Sequence, residues 1–258
     1  MDNNGRFSKL EIGEAKPEKK NASVEITEEE RGAEYYKHIA RQCYEEGKYE
    51  SSLKYYSRVL EFDRNCIEAW MEQVRCLIEL DEFKEASIWC EKALERFVDN
   101  PELLAVKAVI HARMKDFSKA RAYSDSSLEK ESSSPYIWIA RGDVFITSGG
   151  KNSEYCFDKA ITENPKDWFI YFSIAKICMY YKKPALAIKY FVRALELNAS
   201  SPFLYFQTGM CYETLGIYNN AAFCYEQALV LKSDYFEAKR ALDSITNQGF
   251  FARLFRRR

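Results

Sequence analysis

The residue types that most often perform catalysis or bind metals are few in this chain. Only two of its 258 residues are histidines, His38 and His111, and no HExxH, paired-carboxylate or Cys/His arrangement places them in one shared site. The segment 148–152, Ser-Gly-Gly-Lys-Asn, resembles a phosphate-binding loop because glycines precede a lysine. It lacks the upstream glycine of such a loop, and Asn152 stands where serine or threonine is required. We therefore predict a turn here, and a non-enzymatic protein with no catalytic residues, metal or cofactor.

Eight cysteines could form disulfides or a metal site, but their placement favours neither. No CxxC motif occurs, and all except Cys66 fall at helical positions that face neighbouring elements. Free cysteine is among the most frequently buried residue types. We therefore interpret these side chains as small hydrophobic groups in a reducing compartment.

The charge balance gives no general attraction to nucleic acid. The 38 basic and 39 acidic residues leave a formal net charge of -1. The first twenty residues contain no apolar stretch suited to export, and no run of eighteen uncharged apolar residues occurs anywhere. These features predict a cytoplasmic protein that has no nucleic-acid partner.

The dominant pattern is a repeat of 34 residues. Residues 33–66 and 67–100 carry the same residue classes at the same offsets. Further repeats begin at Pro101, Pro135 and Pro202, with one more at Trp168, and a final helix begins near Phe236. Within each repeat, apolar residues recur three and four apart on either side of a short break, which predicts two amphipathic helices. Self-similarity at this period is typical of a solenoid of stacked units.

Small residues recur where two paired helices would have to approach closely. Position 8 of the six repeats, counted from the first residue, is Ala40, Val74, Ala108, Gly142, Ala175 and Gly209. Position 20 is Ser52, Ala86, Ala120, Ala187 and Ala221 in the repeats that align without a gap. The fourth repeat aligns after a one-residue deletion in its turn. Aromatic residues are common at position 4, as at Trp70, Trp138, Tyr171 and Tyr205.

This set of positions resembles the tetratricopeptide repeat family, and the match covers more than four fifths of the chain. The resemblance implies an all-α fold: a right-handed superhelix, or α-solenoid, of six helix-turn-helix units and a C-terminal capping helix. The repeats depart from the family pattern most in the third, where His111, Ser124 and Ser127 occupy usual core positions. We predict that the third repeat is the loosest part of the stack.

The implied organisation has three parts. A disordered N-terminal arm covers residues 1–26, and the repeat array covers 27–247, beginning with a capping box at Thr27 to Glu30. A basic amphipathic tail covers 248–258. The repeats within the array are predicted at 33–66, 67–100, 101–134, 135–167, 168–201 and 202–235, followed by a cap at 236–247.

In tetratricopeptide proteins the first helices of successive repeats line a groove that usually holds an extended peptide or a helix. By resemblance, positions 2, 5, 9, 12 and 13 face this groove. In the first two repeats they form a largely charged wall, whereas in repeats four to six they are mostly apolar. The predicted peptide-binding groove consists of Tyr136, Ile139, Ile146, Phe169, Phe172, Lys176, Met179, Tyr180, Phe203, Phe206 and Met210.

We expect these apolar side chains to be exposed, because the helix pairs are already closed by their small and aromatic core positions. An apolar surface of this size usually marks an interaction site. The alternative is that several of them tuck between adjacent helices or under the cap. The leading hypothesis is a non-catalytic scaffold or adaptor that binds an apolar or amphipathic segment of another protein. Its anchors would be Tyr136, Phe169, Phe172, Phe203 and Phe206.

The tail differs from the rest of the chain and leaves three interpretations open. On one helical face it places Phe250, Phe251, Leu254 and Phe255, and it ends in Arg256, Arg257 and Arg258. It could be solvated, dock on a protein surface, or contact an anionic membrane weakly. The alternative function is therefore a self-assembling scaffold or a peripheral membrane-associated assembly factor that uses this tail.

Overall fold

The computed structural model describes residues 32–147 and 150–255, without the side chains of 150, 151 and 247–255. Thirteen helices and no strands occupy this part of the chain. The helices, in chain order, are α1 (Ala33–Glu45), α2 (Tyr49–Phe62), α3 (Ile67–Glu79), α4 (Phe83–Arg96), α5 (Pro101–Arg113), α6 (Phe117–Leu128), α7 (Pro135–Phe145), α8 (Gly150–Glu163), α9 (Trp168–Tyr180), α10 (Pro184–Leu197), α11 (Pro202–Thr214), α12 (Tyr218–Leu231) and α13 (Phe236–Phe255). They form an all-α solenoid of helix-turn-helix repeats. We call the first and second helix of each repeat A and B.

One residue closes the turn between the A and B helices, and it lies at position 15 of the repeat. This residue has a left-handed backbone in five repeats, at Gly47, Asp81, Lys115, Lys182 and Gly216. In each case the amide three residues after the last helical residue donates to the carbonyl five residues before it, as Lys48 N does to Cys43 O at 2.8 Å. This is the Schellman arrangement, and it reverses the chain so that the B helix packs against its own A helix.

Side-chain caps and prolines set where several A helices begin. Asn100 Oδ1 accepts a hydrogen bond from Leu103 N at 2.9 Å, and Ser201 Oγ accepts one from Leu204 N at 3.2 Å. Both caps are followed by proline, whose fixed φ suits the first helical position. These signals stop one helix and start the next after a connection of only four residues.

Size matching between positions 8 and 24 is seen in the helix pairs of the second, fourth and sixth repeats. A Cβ on Gly142 would overlap the buried ring of Phe157, and a Cβ on Gly209 would lie 2.5 Å from Cε1 of Tyr225. The second repeat has the opposite solution, in which the larger Val74 is paired with the small Cys90, and both are fully buried. The small residues at position 8 therefore make room for the rings on the B helices.

The chain divides between Glu131 and Ser132 into two compact units, which we call the N-terminal and C-terminal halves. In the N-terminal half, α1 to α6 pack as neighbouring pairs around buried Tyr56, Leu77, Leu103 and Ile110. In the C-terminal half, α7 to α11 surround a core centred on α9, and α12 and α13 pack around a second cluster at Tyr225. That core includes Ile139, Ile146, Phe157, Ile174, Phe191 and Leu204.

The last helix caps the C-terminal half. Ala238 and Ile245 of α13 are buried, and Ala241 and Leu242 pack against the core around Tyr225. Positions that would face a seventh B helix are polar and exposed, at Lys239, Asp243 and Thr246. Such a polar outer face is what ends a solenoid. The helix continues to Phe255, eight residues past the predicted end of the cap.

Several sequence predictions fall on residues outside this description. They are the N-terminal arm, the capping box at Thr27 to Glu30, and Ser148 and Gly149 of the predicted turn.

Candidate peptide-binding surface

Position 2 of the A helices divides the repeats into two groups. It is glutamate in the first three repeats and again in α13, at Glu34, Glu68, Glu102 and Glu237. In the fourth to sixth repeats it is aromatic, at Tyr136, Phe169 and Phe203, and all three rings are half-buried. We call these three residues the aromatic ladder. Because each lies in the first turn of its own A helix, the ladder crosses α7, α9 and α11 in succession.

The floor of the ladder is Phe172. Its ring centroid lies 5.8 Å from that of Phe169 and 5.7 Å from that of Phe203, so it lies under two members of the ladder. The rings of Trp168 and Phe191 also contact it, at 5.9 and 6.2 Å. Phe172 is only 1% exposed, and the prediction that it is an exposed anchor is therefore wrong.

Ile139 and Ile146 are also buried, as members of the core of the C-terminal half, and the prediction of their exposure is wrong as well. They lie at positions 5 and 12 of the fourth repeat, and Phe172 lies at position 5 of the fifth. The reason is the stacking of one A helix on the next, since α7 packs against α9 and Phe172 reaches Phe203 on α11. These three side chains fill the interface between A helices and do not face the groove.

The remaining predicted groove residues stay at least partly in contact with solvent. Tyr180 and Met210 are exposed, while Lys176, Met179 and Phe206 are half-buried. Phe206 is partly covered by the end of the array, because its ring packs on Tyr225 at 5.8 Å and Tyr235 at 5.2 Å. Lys176 places its Nζ 5.9 Å from the centroid of Phe172, and this brings a positive charge to the edge of the ladder.

A buried polar network supports α7 and α9 at the other end of the same helices. The Tyr181 hydroxyl donates to Asp143 Oδ1 at 2.8 Å, and Lys183 Nζ donates to the carbonyl of Ile146 at 2.8 Å. Asp143 is buried, so this partnership fixes the end of α7 against the turn after α9. Sequence reasoning missed the network. Asp143 and Tyr181 are 38 residues apart, and only their shared location at the ends of neighbouring A helices could have indicated it.

In the N-terminal half, charged residues pair with one another on the corresponding face. Lys37 Nζ lies 2.7 Å from the Glu68 carboxylate, and Arg75 Nη1 lies 2.5 Å from that of the half-buried Glu72. The hydrogen bond from Lys37 to Glu68 raises the pKa of Lys37, and burial raises the pKa of Glu72 although Arg75 opposes it. Several charges of this wall are thus paired with charged neighbours.

Neither a metal site nor a bilayer-spanning helix is found in the described ranges. No three His, Cys, Asp or Glu side chains there converge as metal ligands would. No described helix combines the length and apolar character needed to cross a membrane. In the predicted tail, the side chains of Phe250, Phe251, Leu254 and Phe255, and the residues Arg256, Arg257 and Arg258, lie outside the description.

Comparison with known proteins identifies the family. Two family models, both described as tetratricopeptide repeat, match residues 44–110, and residues 170–201 and 204–235. This chain belongs to the tetratricopeptide repeat family, whose members generally mediate protein–protein interactions. The resemblance inferred from the repeat positions is therefore confirmed.

Among curated proteins, the chain is similar to Superkiller complex protein 3 of human and of mouse. Each is 26% identical over 155 residues, which cover 58% of this chain but 10% of the relative's length. Two solved structures share the fold. A tetratricopeptide repeat protein of Parabacteroides merdae has 19% identity and a TM-score of 0.52, and covers 83% of this chain and 84% of its own. A thermophilic protein of the same repeat class from Thermus thermophilus has 14% identity and a TM-score of 0.50, over 83% and 99%.

Proposed function

We propose that this protein is a non-catalytic scaffold that binds an apolar or amphipathic segment of a partner protein on the aromatic ladder. The observation that carries the proposal is the change at position 2 from glutamate to Tyr136, Phe169 and Phe203. A repeat that only needs to fold accepts glutamate there, as the first three repeats and α13 do. Half-buried aromatic rings at these positions expose apolar surface to water, which is unfavourable unless a ligand covers that surface.

The spacing of the ladder favours a helical ligand. Successive A helices pack at interaxial distances of about 8–10 Å, so the ladder offers a ring at intervals of that order. Side chains at i and i+7 of a bound helix lie about 10.5 Å apart. An amphipathic helix could therefore place one apolar side chain against each ring. Exposed Tyr180 and Met210 extend the apolar surface.

The test uses amphipathic peptides as the probe. Peptides selected on the full chain from a displayed library would be titrated against the wild type, Phe169→Ser and Phe203→Ser by fluorescence anisotropy. Losing an aromatic anchor at the centre of a small interface should weaken binding by about tenfold or more. Circular dichroism would establish that each variant keeps its helices.

The matched control is Phe223→Ser, which removes an exposed ring from the B helix of the sixth repeat. Its affinity for the selected peptide should equal that of the wild type. Selection of no peptide, or equal affinity for the ladder variants and the wild type, would contradict the proposal.

A further inference from the structure

The helix α12 has an apolar face directed away from its own repeat. Its buried residues are Ala221, Cys224, Tyr225 and Ala228. Phe223 and Val230 lie two helical turns apart on the opposite side, where they are 56% and 76% exposed. We call these two residues the α12 patch.

The α12 patch is specific to the sixth repeat. Position 29, which Val230 occupies, is glutamate in four of the other five repeats and threonine in the fourth. Position 22, which Phe223 occupies, is apolar in the second repeat as Ile88 and aromatic in the fourth as Tyr155, but neither has an apolar residue at position 29. Folding of a repeat thus does not require an apolar pair here, because the other repeats fold without one.

We propose that the α12 patch is a self-association surface, on which α12 of a second copy of this chain packs antiparallel. In that pairing Phe223 meets Val230 of the second copy, and Val230 meets its Phe223. The spacing of seven residues, about 10.5 Å along the helix, lets both contacts form at once around a two-fold axis.

Charge favours a second copy over a charged partner. A two-fold interface brings the same side chains together, so a strongly charged face would repel itself. The residues three and four positions from Phe223 and Val230 are Asn219, Asn220, Glu226, Gln227, Ser233 and Asp234. Only Glu226 and Asp234 are charged. The antiparallel register brings them to Gln227 and Asn219 of the second copy, whose amides can donate to the carboxylates.

The exposed area also suits an interface between copies. Phe223 leaves on the order of 100 Å² of its surface in water, given the area of an aromatic side chain. Val230 is 76% exposed, so the α12 patch offers on the order of 200 Å² of apolar surface in all. A standard interface takes about 800 Å² from each partner, of which about 56–58% is apolar. The patch would therefore form the apolar centre of such an interface, and the polar residues around it would form its rim.

The experiment measures the mass of the full chain by sedimentation equilibrium over a series of micromolar concentrations. The wild type should form a dimer. Val230→Glu, which installs the residue found in four other repeats, and Phe223→Lys should each weaken dimerisation by about tenfold or more. Ile88→Glu, at position 22 of the second repeat, is the matched control and should dimerise like the wild type.

A mixture of the two variants tests the antiparallel register. Phe223→Lys and Val230→Glu, mixed in equal amounts, should form a heterodimer, because one contact becomes Lys–Glu and the other remains Val–Phe. Three outcomes would overturn the proposal: a wild type that is monomeric throughout the series, variants that dimerise like the wild type, or a mixture that stays monomeric. Peptide binding on the aromatic ladder involves other helices, so its success or failure does not affect this result.

Discussion

At the residue scale, Phe172 and Phe203 are two touching rings with different surroundings. Their centroids are 5.7 Å apart, yet Phe172 is buried between helices and Phe203 is only half-buried. Phe172 contacts rings from α9, α10 and α11. Its role is therefore to hold the ladder in place from beneath.

Truncating Phe172 should destabilise the fold. Phe172→Ala removes a fully buried ring and leaves a cavity between α9, α10 and α11, so we expect the free energy of unfolding to fall by about 3–5 kcal/mol. Phe203→Ala should cost clearly less, because that side chain is only half-buried and part of its surface is already in water. Urea unfolding followed by circular dichroism measures both. Equal losses for the two variants would show that Phe172 is not the structural member of the pair.

The environment of His111 predicts a dependence of stability on pH. The imidazole is 12% exposed and stacks on Tyr123 at 5.3 Å, and Nδ1 lies 3.8 Å from Asp116 Oδ2 without a hydrogen bond. Burial lowers the pKa of His111, although Asp116 opposes this. The charged groups that face it are Asp116, Lys119, Lys107 and Glu91.

Because the pKa of His111 is lower in the folded chain than its ordinary value of about 6.5, the unfolded chain binds the proton more readily. The contribution of neutral His111 to the free energy of unfolding should therefore be fully present above about pH 6.5 and decrease as the pH drops below it. Histidine titrates over about pH 7.5 to 5.5. As the pH is lowered through this range, the urea unfolding midpoint should fall less in His111→Gln than in the wild type. An unchanged slope in the variant would assign the effect to other groups.

At the element scale, the turn between A and B helices repeats one backbone conformation with different residues. Position 15 has φ of 74° at Gly47 and 72° at Gly216, but also 66° at Lys115 and 56° at Lys182. A residue with a Cβ is strained in this left-handed region by about 1 kcal/mol, and glycine is not. The turn thus keeps its left-handed conformation at Lys115 and Lys182, although lysine is strained there.

Replacing these lysines by glycine should stabilise the array. For Lys115→Gly and Lys182→Gly we expect a gain of up to about 1 kcal/mol each, reduced in part by the greater freedom of glycine in the unfolded chain. Thermal unfolding measures the gain. Lys48→Gly is the matched control, because Lys48 has a φ of -87° next to such a turn and should gain nothing. A loss in both position 15 variants would contradict the strain argument.

The same elements show how far the sequence could predict the fold. Positions 8 and 20 are small in nearly every repeat, so the helix pairs and their register were visible without a structure. Contacts between successive A helices were not. Ile139, Ile146 and Phe172 occupy positions 5 and 12. At these positions in the first two repeats, Lys37, Met71 and Ile78 are half-buried, whereas Tyr44 is buried. Whether a ring there faces water depends on its fit against the next A helix, which the repeat pattern does not encode.

At the scale of the whole molecule, the chain consists of two halves of three repeats each, with α13 closing the second. The connection between the halves differs from the others. Residues 129–134 separate α6 from α7, whereas four residues, such as 63–66 and 198–201, separate the other B helices from the following A helices. The longer connection includes Ser132 and Ser133 and is exposed from Glu129 to Ser133.

This connection should be the first site of cleavage within residues 32–246. Proteases need several residues of accessible, deformable backbone, and an exposed connection supplies them. A glutamate-specific protease at low concentration should therefore cut after Glu129 or Glu131 before it cuts after Glu82. Glu82 is held in an A–B turn by the hydrogen bond from its amide to Leu77 O at 2.9 Å, and serves as the internal control.

Each product should keep its helices, because three repeats bury a continuous core and suffice for a stable stack. The fragments would be identified by mass spectrometry and separated, and their unfolding followed by circular dichroism. Cleavage after Glu82 before cleavage after Glu129 or Glu131 would contradict the prediction that the connection between α6 and α7 is cut first. Loss of helix from either purified fragment would show that three repeats of this chain are not an independent folding unit.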